Sequence, residues 1–240
     1  MSFYESTLLG RTEVAEGTMA FQFERPSDFV FEAGQYIDLT ISSDHHAPSQ
    51  RLTHTFSIAS SPCEEDLVVT TRMRSTVFKQ TLSNLPIGSR VQIEGPMGSF
   101  ILHNNLAKPA VFLAGGIGIA PFLSMLTYAT GEELRHSIVL FYANRCLEDA
   151  AFLDNLRKLE RINPRFRFVP TFTRTPSDND SWKGKTGHIS SEMLFTEVAT
   201  TQGPIYYIAG PPTMVAAMRR TLGEVGVDED DIRTEEFAAY

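Results

Sequence analysis

Val111-Phe112-Leu113-Ala114-Gly115-Gly116-Ile117-Gly118-Ile119-Ala120-Pro121 is the stretch that decides how this chain folds. An unbroken apolar run of strand length enters a glycine turn, and a helix-compatible segment follows at once. Glycines let a backbone approach a pyrophosphate closely, and the amino end of a helix offers unpaired N–H groups and a positive dipole end. Pro121 suits the first turn of that helix, where its missing N–H costs little. A turn of this kind also serves plain strand-to-helix packing. Alone, Gly115, Gly116 and Gly118 do not separate a nucleotide site from a bare connection.

Downstream of this turn, strand and helix alternate: helix 121–130, strand 137–142, helix 149–160, strand 166–172, strand 205–209 and helix 213–223. That order predicts βαβ units on a parallel sheet. Tyr206-Tyr207-Ile208-Ala209-Gly210-Pro211-Pro212-Thr213-Met214 repeats the pattern of apolar strand, tight turn and helix. Two such turns at the carboxyl ends of parallel strands predict one crevice between them, although Pro211 and Pro212 also suit a simple helix start. Segment 175–185 is dense in Ser, Asp, Asn, Gly and Pro and reads as a surface loop.

Upstream, short β-rich runs at 19–23, 36–41, 55–59, 67–73 and 90–95 are separated by turn residues, which predicts a closed antiparallel barrel. One helix interrupts them at 77–85, where Val77, Phe78, Leu82 and Leu85 recur at helical spacing before Pro86 and Gly88. It is expected to cap an opening of the barrel. The change of texture falls at 103–108, which divides the chain into domains 1–104 and 105–240.

Composition narrows the class. The 240 residues, 42% apolar and 21% charged, are ordinary globular usage. Cys63 and Cys146 are the only cysteines, too few for a disulfide framework or an internal four-thiolate iron–sulfur centre, and no metal site is expected. A net charge of −8 opposes nucleic-acid binding. The longest apolar-rich stretch, 109–126, is broken by glycines and Pro121 and falls short of the ~20 residues of a membrane span. Met1-Ser2-Phe3-Tyr4-Glu5-Ser6 lacks the pattern of a signal peptide, so a cytoplasmic location is expected.

Two segments of the barrel half carry candidate chemistry. His54-Thr55-Phe56-Ser57-Ile58-Ala59-Ser60-Ser61-Pro62 places hydroxyls around one aromatic ring on and just after a strand. That suits a flavin, and equally suits an ordinary half-buried strand. Thr70-Thr71-Arg72-Met73-Arg74-Ser75-Thr76 runs directly into the helix at Val77, bringing cations, hydroxyls and free N–H groups to one place where a pyrophosphate fits. Ser75 or Thr76 also reads as a helix cap.

These segments, in this order, resemble the ferredoxin–NADP reductase superfamily over nearly the whole chain. The family's R-x-Y-S/T segment is matched by His54-Thr55-Phe56-Ser57, and its G-x-x-S/T helix start by Arg74-Ser75-Thr76-Val77. Its G-P-x-G-x-F turn is matched by Gly95-Pro96-Met97-Gly98-Ser99-Phe100. The G-G-x-G-x-x-P and C-G-P-P-x-M turns of its nicotinamide domain fall on Gly115 to Pro121 and on Ala209 to Met214. In three places the chain departs from the pattern: His54 stands for an arginine and is a weaker, titratable cation, Phe56 keeps a tyrosine's ring without its hydroxyl, and Ala209 stands for a cysteine.

The resemblance implies a six-stranded antiparallel flavin-binding barrel followed by a parallel-sheet α/β domain. FAD is the implied cofactor, NADPH or NADH the implied substrate, and a ferredoxin, a flavodoxin or another redox partner the implied acceptor. FAD would be held by His54, Thr55, Phe56, Ser57, Thr70, Thr71, Arg72, Ser75, Thr76, Val77 and Tyr240. The nucleotide would meet Gly115, Gly116, Gly118, Pro121, Asn144, Arg145, Gly210, Pro211, Pro212 and Met214. Ser57 is expected near flavin N5, with Phe56 stacked on one flavin face. Phe237, or Tyr240, would cover the other face, and Ser57, Phe237 and Glu236 are the implied catalytic residues.

Arg145 is placed to pair with a 2′-phosphate, which favours NADPH, and also stands near Glu148 and Asp149. The alternatives are a non-catalytic FAD electron-transfer or regulatory subunit of a larger complex, and a free-flavin or ferric reductase. Arg157, Lys158, Arg161, Arg165 and Arg167 would form either a docking face for an acidic partner or a solvated face.

Overall fold

The computed structural model describes residues 2–43, 50–174, 182–198 and 203–237. β1 (Ser2–Ala15), β2 (Thr18–Phe23), β3 (Tyr36–Ser43), β4 (Gln50–Ser57), β5 (Leu67–Arg72) and β6 (Arg90–Met97) form an antiparallel sheet in the order β4-β3-β6-β1-β2-β5. Its edges meet where Ile58 bridges Val69 and the Ala59 N–H donates to the Val68 carbonyl at 2.7 Å, which closes the barrel. Ile37, Leu39 and Ile41 of β3, alternating in sequence, face Phe21, Phe23, Leu67 and Val69 in its core. α1 (Val77–Asn84) lays Phe78 and Leu82 into that core, as a cap must. Thr76, not Ser75, caps the helix, its side chain accepting from the Lys79 N–H at 3.3 Å.

β1 is absent from the apolar runs of the sequence, although it pairs with both β6 and β2. The buried positions near its centre are only Ser6 and Leu8, so the strand is made by its neighbours and not by its own pattern. β4 likewise begins at Gln50, ahead of the expected 55, because Arg51 and Thr53 face outward.

The second half consists of β7 (Ala110–Gly115), α2 (Ile119–Gly131), β8 (Ile138–Asn144), α3 (Leu153–Ile162), β9 (Phe166–Phe172), β10 (Lys185–Thr186), α4 (Ser191–Val198), β11 (Ile205–Gly210), α5 (Pro212–Glu224) and β12 (Ile232–Glu236). The strands are parallel, in the order β10-β9-β8-β7-β11-β12. β7 and β11 are buried along their whole length, with an apolar cluster on each face of the sheet. α3 starts at Leu153, after a short 3-10 turn at Leu147–Asp149 and a left-handed Phe152 at φ 59°. α4, β10 and β12 were not expected from the sequence. β12 reads Ile-Arg-Thr-Glu-Glu, a polar segment that becomes a strand by pairing with β11. Of the expected loop, 175–181 lies outside the described residues. Among the described residues no helix is long and apolar enough to cross a membrane, and no cluster of His, Cys, Asp and Glu suits a metal ion.

The two sheets share packing. Ala33 and Phe100 join Phe112, Phe122 and Tyr207 in one apolar cluster, Arg72 pairs with Asp149 at 2.6 Å, and the Ser124 hydroxyl donates to the Ser60 carbonyl at 2.6 Å. The segment joining the sheets is held through His103. Its backbone N–H donates to the Tyr207 hydroxyl oxygen at 2.9 Å, and its Nδ1 lies 2.9 Å from the same oxygen. Its Nε2 lies 2.8 Å from the Lys108 carbonyl. The carbonyl requires a donor at Nε2, and in the neutral imidazole Nδ1 then accepts from the tyrosine hydroxyl. Burial, the largest influence, pulls the His103 pKa below the ordinary histidine value. Arg233 completes the arrangement, 5.2 Å from the centre of the Tyr207 ring and donating to the Ile101 carbonyl at 2.7 Å. Tyr207→Phe should strand the buried His103 groups and destabilise the fold by about 1–3 kcal/mol. The measurement is the denaturation midpoint at constant m-value, and an unmoved midpoint would show that the hydroxyl is dispensable.

Candidate active site

β7 and β11 are neighbours with Ala114 opposite Ala209, so Gly115 and Gly210 leave the sheet side by side. A 3-10 turn at Gly116–Gly118 leads into α2, which carries Pro121 in its first turn. Gly116 has φ 51°, a conformation costly for other residues. A Cβ on Gly118 would lie 2.2 Å from the Ala209 carbonyl oxygen, and one on Gly115 would lie 2.2 Å from Met214 Sδ. The glycines therefore meet a packing demand between the two turns themselves, besides any ligand approach. Pro211 precedes α5 and Pro212 is its first residue, so the amino ends of α2 and α5 flank the same spot.

The barrel contributes Ser57 to this spot. Ser57, buried at the end of β4, donates its hydroxyl to Glu235 Oε1 at 3.0 Å, across 178 residues of sequence. Glu235 lies opposite Ala209 in the β11–β12 pairing. Its Oε2 is occluded and has no hydrogen-bond partner among the described residues. Burial pushes the Glu235 carboxyl up to about 7, and the Ser57 hydrogen bond opposes that shift. A carboxyl of this kind exchanges its proton near neutrality. Tyr36, Phe100, Ile101 and Arg233 join it in lining a cleft of about 700 Å³.

Glu236, the acid named from sequence, is exposed. In a strand successive side chains alternate faces, and β12 presents Glu235, not Glu236, to the interior. Phe237 donates its N–H to the Gly210 carbonyl at 3.1 Å, and its half-buried ring packs on the cluster that contains Ala114, Ile119 and Ala209. Tyr240 lies outside the described residues.

The start of α1 gathers the other barrel candidates. Phe56 is 5% exposed, with its ring centre 4.8 Å from His54 and 5.8 Å from Phe78. Its ring thus joins β4 to α1. Thr55 turns outward to Asp38. Burial and then Lys79 lower the His54 pKa below its ordinary value, against Asp38, so His54 is neutral at neutral pH. Thr70 and Thr71 are buried, and Thr70 Oγ1 has no hydrogen-bond partner among the described residues. Arg72 is committed to Asp149, whereas Arg74, Ser75, Thr76 and Val77 are exposed. Lys79, outside the matched motifs, is 2% exposed and donates Nζ to the Arg72 carbonyl at 2.8 Å.

At the end of β8, the Asn144 carbonyl accepts from the Thr173 N–H at 3.0 Å and the Arg145 carbonyl from the Arg174 N–H at 2.7 Å. Arg145 and Arg174, both exposed, leave the sheet as neighbours. Arg174 was not named from sequence, since only strand pairing brings it beside Arg145. Asp149, one sequence neighbour of Arg145, is held by Arg72 instead. The basic residues do not gather at the site. Arg165 and Arg167 flank the start of β9, the opposite end from Asn144 and Gly115, and seven residues of strand span roughly 20 Å. Arg157 pairs with Asp154 at 3.6 Å, and Arg167 pairs with Glu197.

A barrel docked on the carboxyl ends of a parallel sheet, with two glycine turns and a buried carboxyl at the junction, defines a two-domain flavin and nicotinamide oxidoreductase. Comparison with known proteins agrees. Residues 5–101 match the oxidoreductase FAD-binding domain family and residues 112–220 the oxidoreductase NAD-binding domain family. Ferredoxin–NADP reductase B of Sorangium cellulosum (strain So ce56) is 28% identical over 98% of this chain and 97% of its own length. The propane 2-monooxygenase reductase component of Gordonia sp. (strain TY-5) is 28% identical over 89% of this chain, which spans 61% of that protein. A ferredoxin NADP+ reductase from Neisseria gonorrhoeae, solved with bound FAD and NADP, has the same fold, with a TM-score of 0.80 at 23% identity over 98% of each chain. The chain belongs to the ferredoxin–NADP reductase superfamily and is an oxidoreductase with FAD- and NAD-binding domains.

The residues present fit such a cofactor: an exposed helix start with cations beside it, and an occluded carboxyl oxygen without a partner among the described residues. Ser57→Ala should raise the Glu235 pKa, because the hydroxyl stabilises the ionised carboxylate and burial would then act unopposed. A pH titration of Glu235 by carbon-13 NMR or infrared difference spectroscopy should show the midpoint moving up from about 7. A fall would contradict this geometry.

Proposed function

We propose that the chain takes hydride from NADPH in preference to NADH and passes electrons to a small redox protein of the ferredoxin or flavodoxin kind, or to an oxygenase component. The observation that carries this reading is the Ser57–Glu235 contact, 3.0 Å across the domain junction and beside both glycine turns. When bound, flavin accepts a two-electron hydride and releases electrons singly or in pairs. The protein's own part is to position and to manage protons. Ser57 orients the Glu235 carboxyl, and Glu235, with its pKa near 7, holds or releases a proton at Oε2. The closely packed turns at Gly115–Gly118 and Gly210 bring the amino ends of α2 and α5 to one place, where both helix dipoles favour the anionic phosphates of the nucleotide. Anaerobic mixing with NADPH or NADH, followed by a panel of protein and small-molecule acceptors, tests the whole reading. Flavin lost on gel filtration, with free flavin as the better substrate, would instead favour a flavin reductase.

Nucleotide choice rests on Arg145 and Arg174. Either arginine replaced by alanine should lower kcat/KM for NADPH by about 10-fold, the loss of one charge-assisted hydrogen bond, with little change for NADH. Equal values for both nucleotides, unmoved by Arg145→Ala, would remove the arginines from specificity.

Phe237 is assigned a gate, because its backbone is tied to Gly210 beside the turn that the nicotinamide must reach. Phe237→Ala should tighten nucleotide binding by roughly the 0.5–1.5 kcal/mol of one stacking contact. An unchanged Kd with a large fall in melting temperature would make Phe237 a packing residue only.

A further inference from the structure

Lys79 is buried to 2% exposure in the first turn of α1, yet among the described residues it makes no ion pair. Its Nζ has three protons to donate and makes a hydrogen bond to the Arg72 carbonyl at 2.8 Å. A buried ammonium without a counter-charge is costly, and the cost is relieved by an anion that balances it or by loss of its proton. The charged neighbours do not supply that balance. From β5, Arg72 is already matched by Asp149. From the segment before the helix, Arg74 adds a second positive charge. From β4 comes His54, whose nearby acid is Asp38 on β3. Burial and then Arg74 lower the Lys79 pKa, as expected of a cation that lacks its anion. The Lys79 N–H is taken by the Thr76 cap, while other first-turn N–H groups have no acceptor within the helix.

We propose that Lys79, and not His54, supplies the positive charge that binds the FAD pyrophosphate. The proposal rests on the chain binding FAD and is independent of the electron acceptor. Lys79 lies three residues beyond the helix cap, with its Nζ at the carbonyl of Arg72 on the segment that runs into the helix, and the pyrophosphate would complete a charge balance that the protein leaves open. FAD affinity should therefore fall as the pH rises and Lys79 loses its proton in the cofactor-free protein. His54 is neutral at neutral pH and contributes only in acid.

The test titrates FAD and riboflavin, which lacks phosphate, into cofactor-free wild type, Lys79→Met and His54→Gln across a pH series. Lys79→Met should weaken FAD roughly 10- to 100-fold while leaving riboflavin unchanged, and should abolish the alkaline loss of FAD affinity. His54→Gln should alter only the acid limb. The cofactor-free Lys79→Met protein should melt no lower than wild type, because methionine replaces an uncompensated charge with an apolar side chain of similar length. Equal weakening of FAD and riboflavin, or unchanged FAD affinity, would overturn the proposal. If Lys79→Met does not fold, the wild-type pH series decides, and an FAD affinity that tracks that of riboflavin at every pH counts against Lys79. Wild type that binds no FAD would overturn the cofactor itself, a separate result.

Discussion

The carboxyl of Glu235 is shielded because a barrel and a parallel sheet are pressed together around it. Glu235 sits on an edge strand of the α/β sheet, where an isolated domain would leave it in water with an ordinary pKa. Docking brings Ser57 to 3.0 Å of one oxygen and leaves the other occluded. The same docking buries Phe100 with Phe112 and Tyr207 and pairs Arg72 with Asp149. Each contact is modest alone. Together they hold two domains at a separation that lets a barrel hydroxyl hydrogen-bond a carboxyl of the other domain.

A second constraint acts beside the first. Two turns leaving adjacent parallel strands pack this closely only because no Cβ stands between their backbones: one on Gly118 would meet the Ala209 carbonyl oxygen at 2.2 Å, and one on Gly210 the Gly115 nitrogen at 3.2 Å. The glycines therefore have a structural cause even before a ligand is considered. They also bring the amino ends of α2 and α5 together, so the dipoles of both helices favour the same anionic ligand. Packing and binding here are two consequences of one geometry.

Charge at the barrel end follows a different logic. Arg72, the prominent arginine of the motif, is spent on the domain junction, and His54 is kept neutral by burial. The remaining cations at the helix start are exposed Arg74 and buried Lys79. Comparing motif letters points to His54, because that position is aligned. Burial points to Lys79, because an internal charge demands an answer that a surface charge does not.

Much of the architecture was legible in one dimension. The apolar runs at Val111–Ala114 and Tyr206–Ala209, each ending in a glycine or proline turn, determined a parallel α/β half and its crevice, since strand period and turn chemistry are local properties. The barrel runs were legible for the same reason, except for β1, whose interior positions Ser6 and Leu8 carry too little apolar signal. Only the tertiary structure decided that the polar segment Ile232–Glu236 is a strand, since pairing with β11 and not propensity forms it. That pairing in turn faces Glu235 toward Ser57 and leaves Glu236 exposed, because alternation has no meaning until a strand and its register exist. Arg174 beside Arg145 and Lys79 in the interior belong to the same category: proximity and burial come from chain segments meeting in space, and a sequence records only order.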